Sequence, residues 1–212
     1  MPLSTAAALP GTPYCFTIGG LPESYQGVRY DACRDQWEMM DTLPQALGNT
    51  SAAVIDGRIY LPGGYHYGTY LDTLHIYDPQ SDTWSQGAPL PEPLSGAGVT
   101  AHAGLLYVLG GKQANGAYTD RTYVYDPGTD QWSLALPLPG GPRAYAAAAT
   151  LDEHIYLVGG WPNVARVEVY DPVSSTWYTA APLRQGRQSP GLVAAPDGAL
   201  YATGGGNGWM GL

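Results

Sequence analysis

The stretch IYDPQSDTWSQGAPLPEPL, from Ile76 to Leu94, sets two carboxylates, Asp78 and Asp82, beside the indole of Trp84, and raises the question whether they do chemistry. The same phrase recurs as YVYDPGTDQWSLALPLPGGP (123–142) and VYDPVSSTWYTAAPL (169–183), with a divergent copy, RYDACRDQWEMMDTLP, at 29–44. A reactive site is rarely written four times, so the phrase reads as architecture. The other groups able to do chemistry are scattered. His66, His75, His102 and His154 could ligate a metal only if the fold gathered them, and Arg143 (in PRAY) and Arg187 (in GRQS) could grip a carboxylate. Cys15 and Cys33 admit a disulfide or two free thiols, and with no His nearby they make a poor metal pair. Gly206 to Gly211 spells the dinucleotide-binding G-x-G-x-x-G, but no helix pattern follows it.

Three independent markers share one period. Gly-Gly pairs fall at 19–20, 63–64, 110–111, 159–160 and 204–205, each ending a short apolar run such as IYLPGG or LYVLGG. Trp37, Trp84, Trp132 and Trp177 follow at the same spacing, and a Tyr-Asp pair precedes each of them: Tyr30-Asp31, Tyr77-Asp78, Tyr125-Asp126 and Tyr170-Asp171. Within one period the pattern predicts four strands. Strand a is small and apolar (49–55, 95–101, 144–151, 189–195), strand b ends in Gly-Gly, strand c carries Tyr-Asp, and strand d surrounds the Trp. Asp56-Gly57 and Asp197-Gly198 are hairpin signals between a and b, because such turns need positive φ. No segment shows a 3.6-residue period long enough for a helix.

Four antiparallel strands every ~45–50 residues is the pattern of a β-propeller blade. The Gly-Gly after an aromatic-bearing strand, the spaced Tyr and the Trp resemble the kelch repeat over nearly the whole chain, about Tyr14 to Gly206. The Gly-His and Trp-Asp pair of a WD40 blade is missing, and SDTW, TDQW and SSTW lack the Gly of a sialidase Asp-box. The expectation is an all-β, incomplete kelch-type propeller, a single domain (1–212) with blades at about 4–40, 49–86, 95–135 and 144–180 and a half blade at 189–206. The family's closed rings of six or seven blades imply an arc belonging to a longer propeller, with open blade edges able to self-associate. Tyr and Trp should bury large surfaces between blades. Asp31, Asp78, Asp126 and Asp171 should cap turn amides.

In such a blade the b–c and d–a connections share one face of the disk and the stereotyped a–b and c–d turns share the other. The b–c loops hold aromatics outside the repeat register. Tyr25, Tyr65, His66, Tyr67, Tyr70, Tyr118, Trp161 and Trp209 are therefore the candidate ligand-binding residues, with Arg143 and Arg187 expected at the channel or its rim.

The reading is a non-enzymatic recognition or scaffold module for a protein or glycan, without cofactor or metal. The alternatives are a sugar-modifying enzyme of mutarotase or epimerase type, with Arg143 and Arg187 on a carboxylate, and a fragment without function of its own. The histidines fall on opposite faces, and neither the His, Tyr and Tyr-Cys set of kelch-type copper oxidases nor the acidic cluster of iron-binding specifier proteins is found. A net charge of −9 with one lysine, Lys112, argues against nucleic acid. No apolar run reaches the ~20 residues of a membrane span. The composition, 13% charged with abundant Gly and Tyr, fits short strands and tight turns, and fits secreted or cell-surface bacterial proteins as well as other settings.

Overall fold

The computed structural model describes residues 5–20, 24–162 and 165–206, and among these there is no helix. The first sheet is β1 (Thr5–Ala8), β2 (Tyr14–Ile18), β3 (Gly27–Asp31) and β4 (Gln36–Met39), antiparallel in chain order. The second takes β5 (Ala53–Ile55), β6 (Arg58–Pro62), β9 (Leu74–Asp78) and β10 (Thr83–Gly87), with a hairpin of β7 (Tyr65–His66) and β8 (Thr69–Tyr70) inserted between β6 and β9. Next come β11 (Leu94–Ser95) and β14 (Lys112–Gln113), which pair with each other beside the third sheet of β12 (Gly98–His102), β13 (Leu105–Leu109), β15 (Thr122–Asp126) and β16 (Gln131–Ala135). The fourth sheet is β17 (Ala147–Leu151), β18 (His154–Val158), β19 (Val167–Asp171) and β20 (Thr176–Thr179). A last pair, β21 (Gly191–Ala194) and β22 (Leu200–Thr203), is half a sheet. The inner strands begin later than the repeat suggests: β5, β12, β17 and β21 start at residues 53, 98, 147 and 191 rather than 49, 95, 144 and 189, because the residues before them form the connections to the preceding sheets.

The hairpins form where the sequence supplies residues that tolerate positive φ. Asp56-Gly57 takes φ of 48° and 75°, and Asp152-Glu153 takes 47° and 65° in the same turn of the fourth sheet. Asp31, Asp78, Asp126 and Asp171 accept from turn amides two residues on, for example Gln80 N at 2.9 Å and Val173 N at 2.9 Å. Cys33 lies in the turn between β3 and β4 rather than on a strand, and both cysteines are free thiols.

Successive sheets stack face to face. Phe16 and Ile18 of the first sheet pack with Ile59, Leu61 and Tyr77 of the second; Tyr60 of the second packs with Leu106, Val108 and Tyr125 of the third; Tyr107 of the third packs with Ile155, Leu157 and Tyr170 of the fourth. The Tyr and Trp of each repeat are cross-strand partners, with ring centroids 4.9 Å apart at Tyr77–Trp84 and 5.0 Å at Tyr125–Trp132. Their burial differs from the sequence expectation. Tyr77, Tyr125 and Tyr170 are buried, but Tyr30, Trp84, Trp132 and Trp177 are only half-buried, and Trp37 is 62% exposed because no described sheet lies against that face of the first.

The reason is that the Trp works partly as a hydrogen-bond donor to the preceding sheet. Trp84 Nε1 donates to Asp41 O (3.0 Å), Trp132 Nε1 to Ala88 O (2.8 Å) and Trp177 Nε1 to Leu136 O (3.2 Å). Beside it, Asp82 accepts both from Tyr77 Oη (2.5 Å) and from Asp41 N (2.9 Å), and Asp130 does the same with Tyr125 and Ala88 N. Both carboxyls are held below the usual range, first by the tyrosine hydroxyl and then by the backbone amide. Each carboxylate and indole thus clamp the N–H and the C=O of one residue of the previous blade, which answers the question raised by Asp82 and Trp84.

The Gly-Gly pairs are the second inter-sheet device. Gly20, Gly64, Gly111 and Gly160 donate backbone N–H to the carbonyls of Leu47, Leu94, Arg143 and Arg187, the entry residues of the next repeat, at 2.8–2.9 Å. The first glycine of the pair lies so close that a Cβ on Gly19 would stand 2.6 Å from Leu47 O. Only glycine fits there.

Candidate functional site

The inner strands β1, β5, β12, β17 and β21 surround a cavity of about 420 Å³ whose wall includes Ala6, Ser51, Ala97, Ala147 and Leu192. Its mouth on the face of the b–c and d–a connections is built from one residue per repeat in the left-handed region: Asn49 (φ 53°), Gly96 (65°), Tyr145 (59°) and Ser189 (51°). These residues are linked in series by backbone hydrogen bonds. Gly96 N donates to Asn49 O (2.7 Å), Tyr145 N to Gly96 O (2.6 Å) and Ser189 N to Tyr145 O (2.6 Å). Asn, Gly and Ser are ordinary tenants of such a position, but a tyrosine is not.

Just outside this rim, the residue following each of the four later Gly-Gly pairs bridges back to the residue before the left-handed one. The bridges are Gly48 with Tyr65, Ser95 with Lys112, Ala144 with Trp161 and Gln188 with Gly206. A constant backbone frame therefore displays a variable side chain at one position per repeat. Tyr65 meets Tyr70 edge-on across the β7–β8 hairpin (centroids 5.5 Å). Lys112 bridges Tyr118 through the backbone, and the Tyr70 hydroxyl, with Tyr145 and Tyr118, holds its ammonium above its ordinary value. Burial pushes the Tyr145 phenol up. Further out, His66 stacks edge-on with Tyr25 (6.5 Å) and with Tyr67 (4.8 Å), and its Nδ1 lies 2.8 Å from Ala46 O, which orients the ring. Tyr25 and Tyr67 are 43% and 63% exposed.

The structure thus brings Tyr25, Tyr65, His66, Tyr67, Tyr70 and Tyr118 together on one face, with Trp161 in the equivalent position two repeats on. Trp209 lies outside the described residues. Arg143 is a correction: it does not reach the channel. It is 1% exposed, ion-paired to the fully buried Glu168 (Nη2–Oε2 2.5 Å), and its other nitrogen donates to Gly159 O (3.2 Å). Burial lowers its pKa and Glu168 opposes the shift. Arg187, in the same repeat position, donates to the Gly204 carbonyl at 2.5 Å and is half-buried. Both arginines brace the Gly-Gly turn of their own repeat. Sequence reading missed Lys112 and Tyr145. Lys112 could have been found as the residue after Gly-Gly, in register with Tyr65 and Trp161; Tyr145 hid in the strand-like run AYAAAATL. Among the described residues no three His, Cys, Asp or Glu side chains are placed to hold a metal ion.

Four-stranded antiparallel sheets stacked face to face, with their inner strands gathered around a channel, define a β-propeller. The sequence matches the KLHDC2/KLHL20/DRC7 Kelch-repeats domain over residues 28–160 and the Kelch motif over residues 142–184. The chain belongs to the kelch-repeat family. It is 33% identical to Kelch-like protein 35 of Mus musculus over 120 residues, covering 54% of this chain and 20% of that protein. It is 36% identical to Beta-scruin of Limulus polyphemus over 77 residues, covering 36% of this chain and 8% of the relative. The chain therefore spans a fifth or less of the length of these two relatives. Among solved structures, that of YjhT shares the fold with a TM-score of 0.81 at 19% identity, covering 93% of this chain and 71% of that one.

Proposed function

We propose that the chain is a non-enzymatic recognition module that binds a protein partner through the face carrying the b–c and d–a connections. The observation that supports this most is the aromatic band of Tyr25, His66, Tyr67, Tyr65, Tyr70 and Tyr118, drawn from three successive repeats and held on a hydrogen-bonded frame. Aromatic side chains on variable loops over a rigid support supply contact area at small ordering cost. The enzymatic alternative relied on two arginines gripping a carboxylate, and both are engaged with the chain itself.

The test is selection of a random peptide library on the immobilised protein, followed by affinity measurement on single Tyr25→Ser, Tyr67→Ser and Tyr118→Ser variants. Selected peptides lose about ten-fold or more with at least one of these, as for an aromatic anchor. Binders indifferent to all three, or selection of glycans but no peptides from a parallel array, would contradict the proposal.

A further inference from the structure

The b–c loop of the second repeat folds as the β7–β8 hairpin, and its two sides carry different groups. Tyr65 and Tyr70 pair across one side and close it edge to face. His66 and Thr69 pair across the other, where His66 meets Tyr25 from the loop of the preceding repeat, their ring planes at 84°. The tip is Tyr67-Gly68, both at positive φ (39° and 95°). A two-residue hairpin turn of this kind favours Asn-Gly, and tyrosine is a poor tenant of its first position. The Tyr67 ring is 63% exposed, so burial does not account for its presence there. It meets the His66 ring edge-on, with centroids 4.8 Å apart.

The tautomer of His66 follows from its contact. Ala46 O, 2.8 Å from Nδ1, can only accept, so Nδ1 carries the proton of the neutral ring and Nε2 presents a lone pair. Among the described residues Nε2 has no hydrogen-bond partner. The π faces of Tyr25 and Tyr67 carry negative potential. Lone pair and ring faces are all electron-rich, in a chain of net charge −9. No cation of the chain occupies them: among the described residues the cation–π contact is made elsewhere, by Arg29 on Tyr14.

We propose that Tyr25, His66 and Tyr67 form a subsite for an arginine side chain of the bound partner. The inference rests on the loop-face reading above and names the side chain it takes. A guanidinium is flat enough to lie on a phenol ring, is always charged, and keeps N–H donors at its edge for the His66 Nε2 lone pair. An ammonium lacks the plane, and a carboxylate is repelled by the same electron-rich groups. The net negative charge of the chain adds a long-range attraction for the cation.

The experiment is amide-shift titration of labelled protein with the capped tripeptide Gly-Arg-Gly, set against Gly-citrulline-Gly, its neutral isostere, and Gly-Lys-Gly. The arginine peptide gives saturable shifts centred on 25, 66 and 67 and binds about five-fold or more tightly than either control. Tyr67→Asn restores the usual turn pair, so its melting temperature holds or rises while arginine binding falls about five-fold. His66→Phe keeps an aromatic ring but removes the acceptor, and also weakens binding. Equal binding of the citrulline or lysine peptide, equal binding by Tyr67→Asn, or shifts centred on the acidic turns at 56, 152 and 153 overturns the subsite. Library peptides that depend on Tyr25 or Tyr67 yet contain no arginine also overturn it, while leaving the loop-face reading in place, so the two failures are distinguishable.

Discussion

Removing Arg143 should unfold the protein more readily than any loop-face substitution, and the size of the effect follows from burial. Arg143 and Glu168 are 1% and 0% exposed and bond at 2.5 Å. Arg143→Met leaves the Glu168 carboxylate inside the fourth sheet with only Arg166, 3.3 Å from its other oxygen and partly exposed, to offset it. Breaking a buried pair in this way costs about 3–5 kcal/mol. For a chain of this size each kcal/mol moves the melting temperature by about 2–4 °C, so a drop of about 6–20 °C is expected. Arg187→Met is the internal control: the same residue in the same repeat position, but half-exposed, without a carboxylate and losing one bond to Gly204 O, costs about 1 kcal/mol. The double variant Arg143→Met with Glu168→Leu removes the stranded charge and recovers most of the loss. Urea and thermal denaturation of the four proteins, read by tryptophan fluorescence, measure these differences. If Arg143→Met costs less than Arg187→Met, Arg143 is not the structural cation described here and its assignment to the channel returns.

Three further outcomes follow from the same contacts. His75 is 1% exposed with neither ring nitrogen bonded, and burial lowers its pKa, so the unfolded chain takes up the proton more readily; stability is complete above the ordinary histidine value of about 6.5 and falls as pH drops below it. His75→Leu should flatten that decline in urea melts between about pH 7 and pH 5, and an unchanged slope would assign it to other groups. Gly57→Ala, where a Cβ meets open space, should cost only the left-handed backbone, about 1–2 kcal/mol, whereas Gly63→Ala adds a collision with Leu94 O and should cost clearly more in the same denaturation assay. Trp132→Phe should lose about 1 kcal/mol with its bond to Ala88 O, while Trp37→Phe, with no blade to hold, should change stability by about 0.5 kcal/mol or less.

The architecture was legible because its devices are local and repeated. Gly63-Gly64 must be glycines because the backbone of the next repeat lies on them, and Asp82 with Trp84 must keep their spacing to hold both backbone groups of one residue. Such needs write themselves into every period. Strand β1 was indistinct because TAAA has no large side chain to mark an alternation. Arg143 misled because its partner, Glu168, lies 25 residues away on a different strand, and only the sheet brings them together. The aromatic loop residues could be read as breaks in register, but the seating of the Tyr145 ring on Gly96 of the preceding repeat could not, because it depends on the curvature with which the blades turn about the channel.

Hydrogen–deuterium exchange of the protein with and without a selected binding peptide tests the recognition face most directly. Slowed exchange should fall on the b–c segments around 65–70 and 112–118 and on the channel rim at 144–145. Slowed exchange instead at the opposite turns, 56–57, 103–104 and 152–153, would contradict the account.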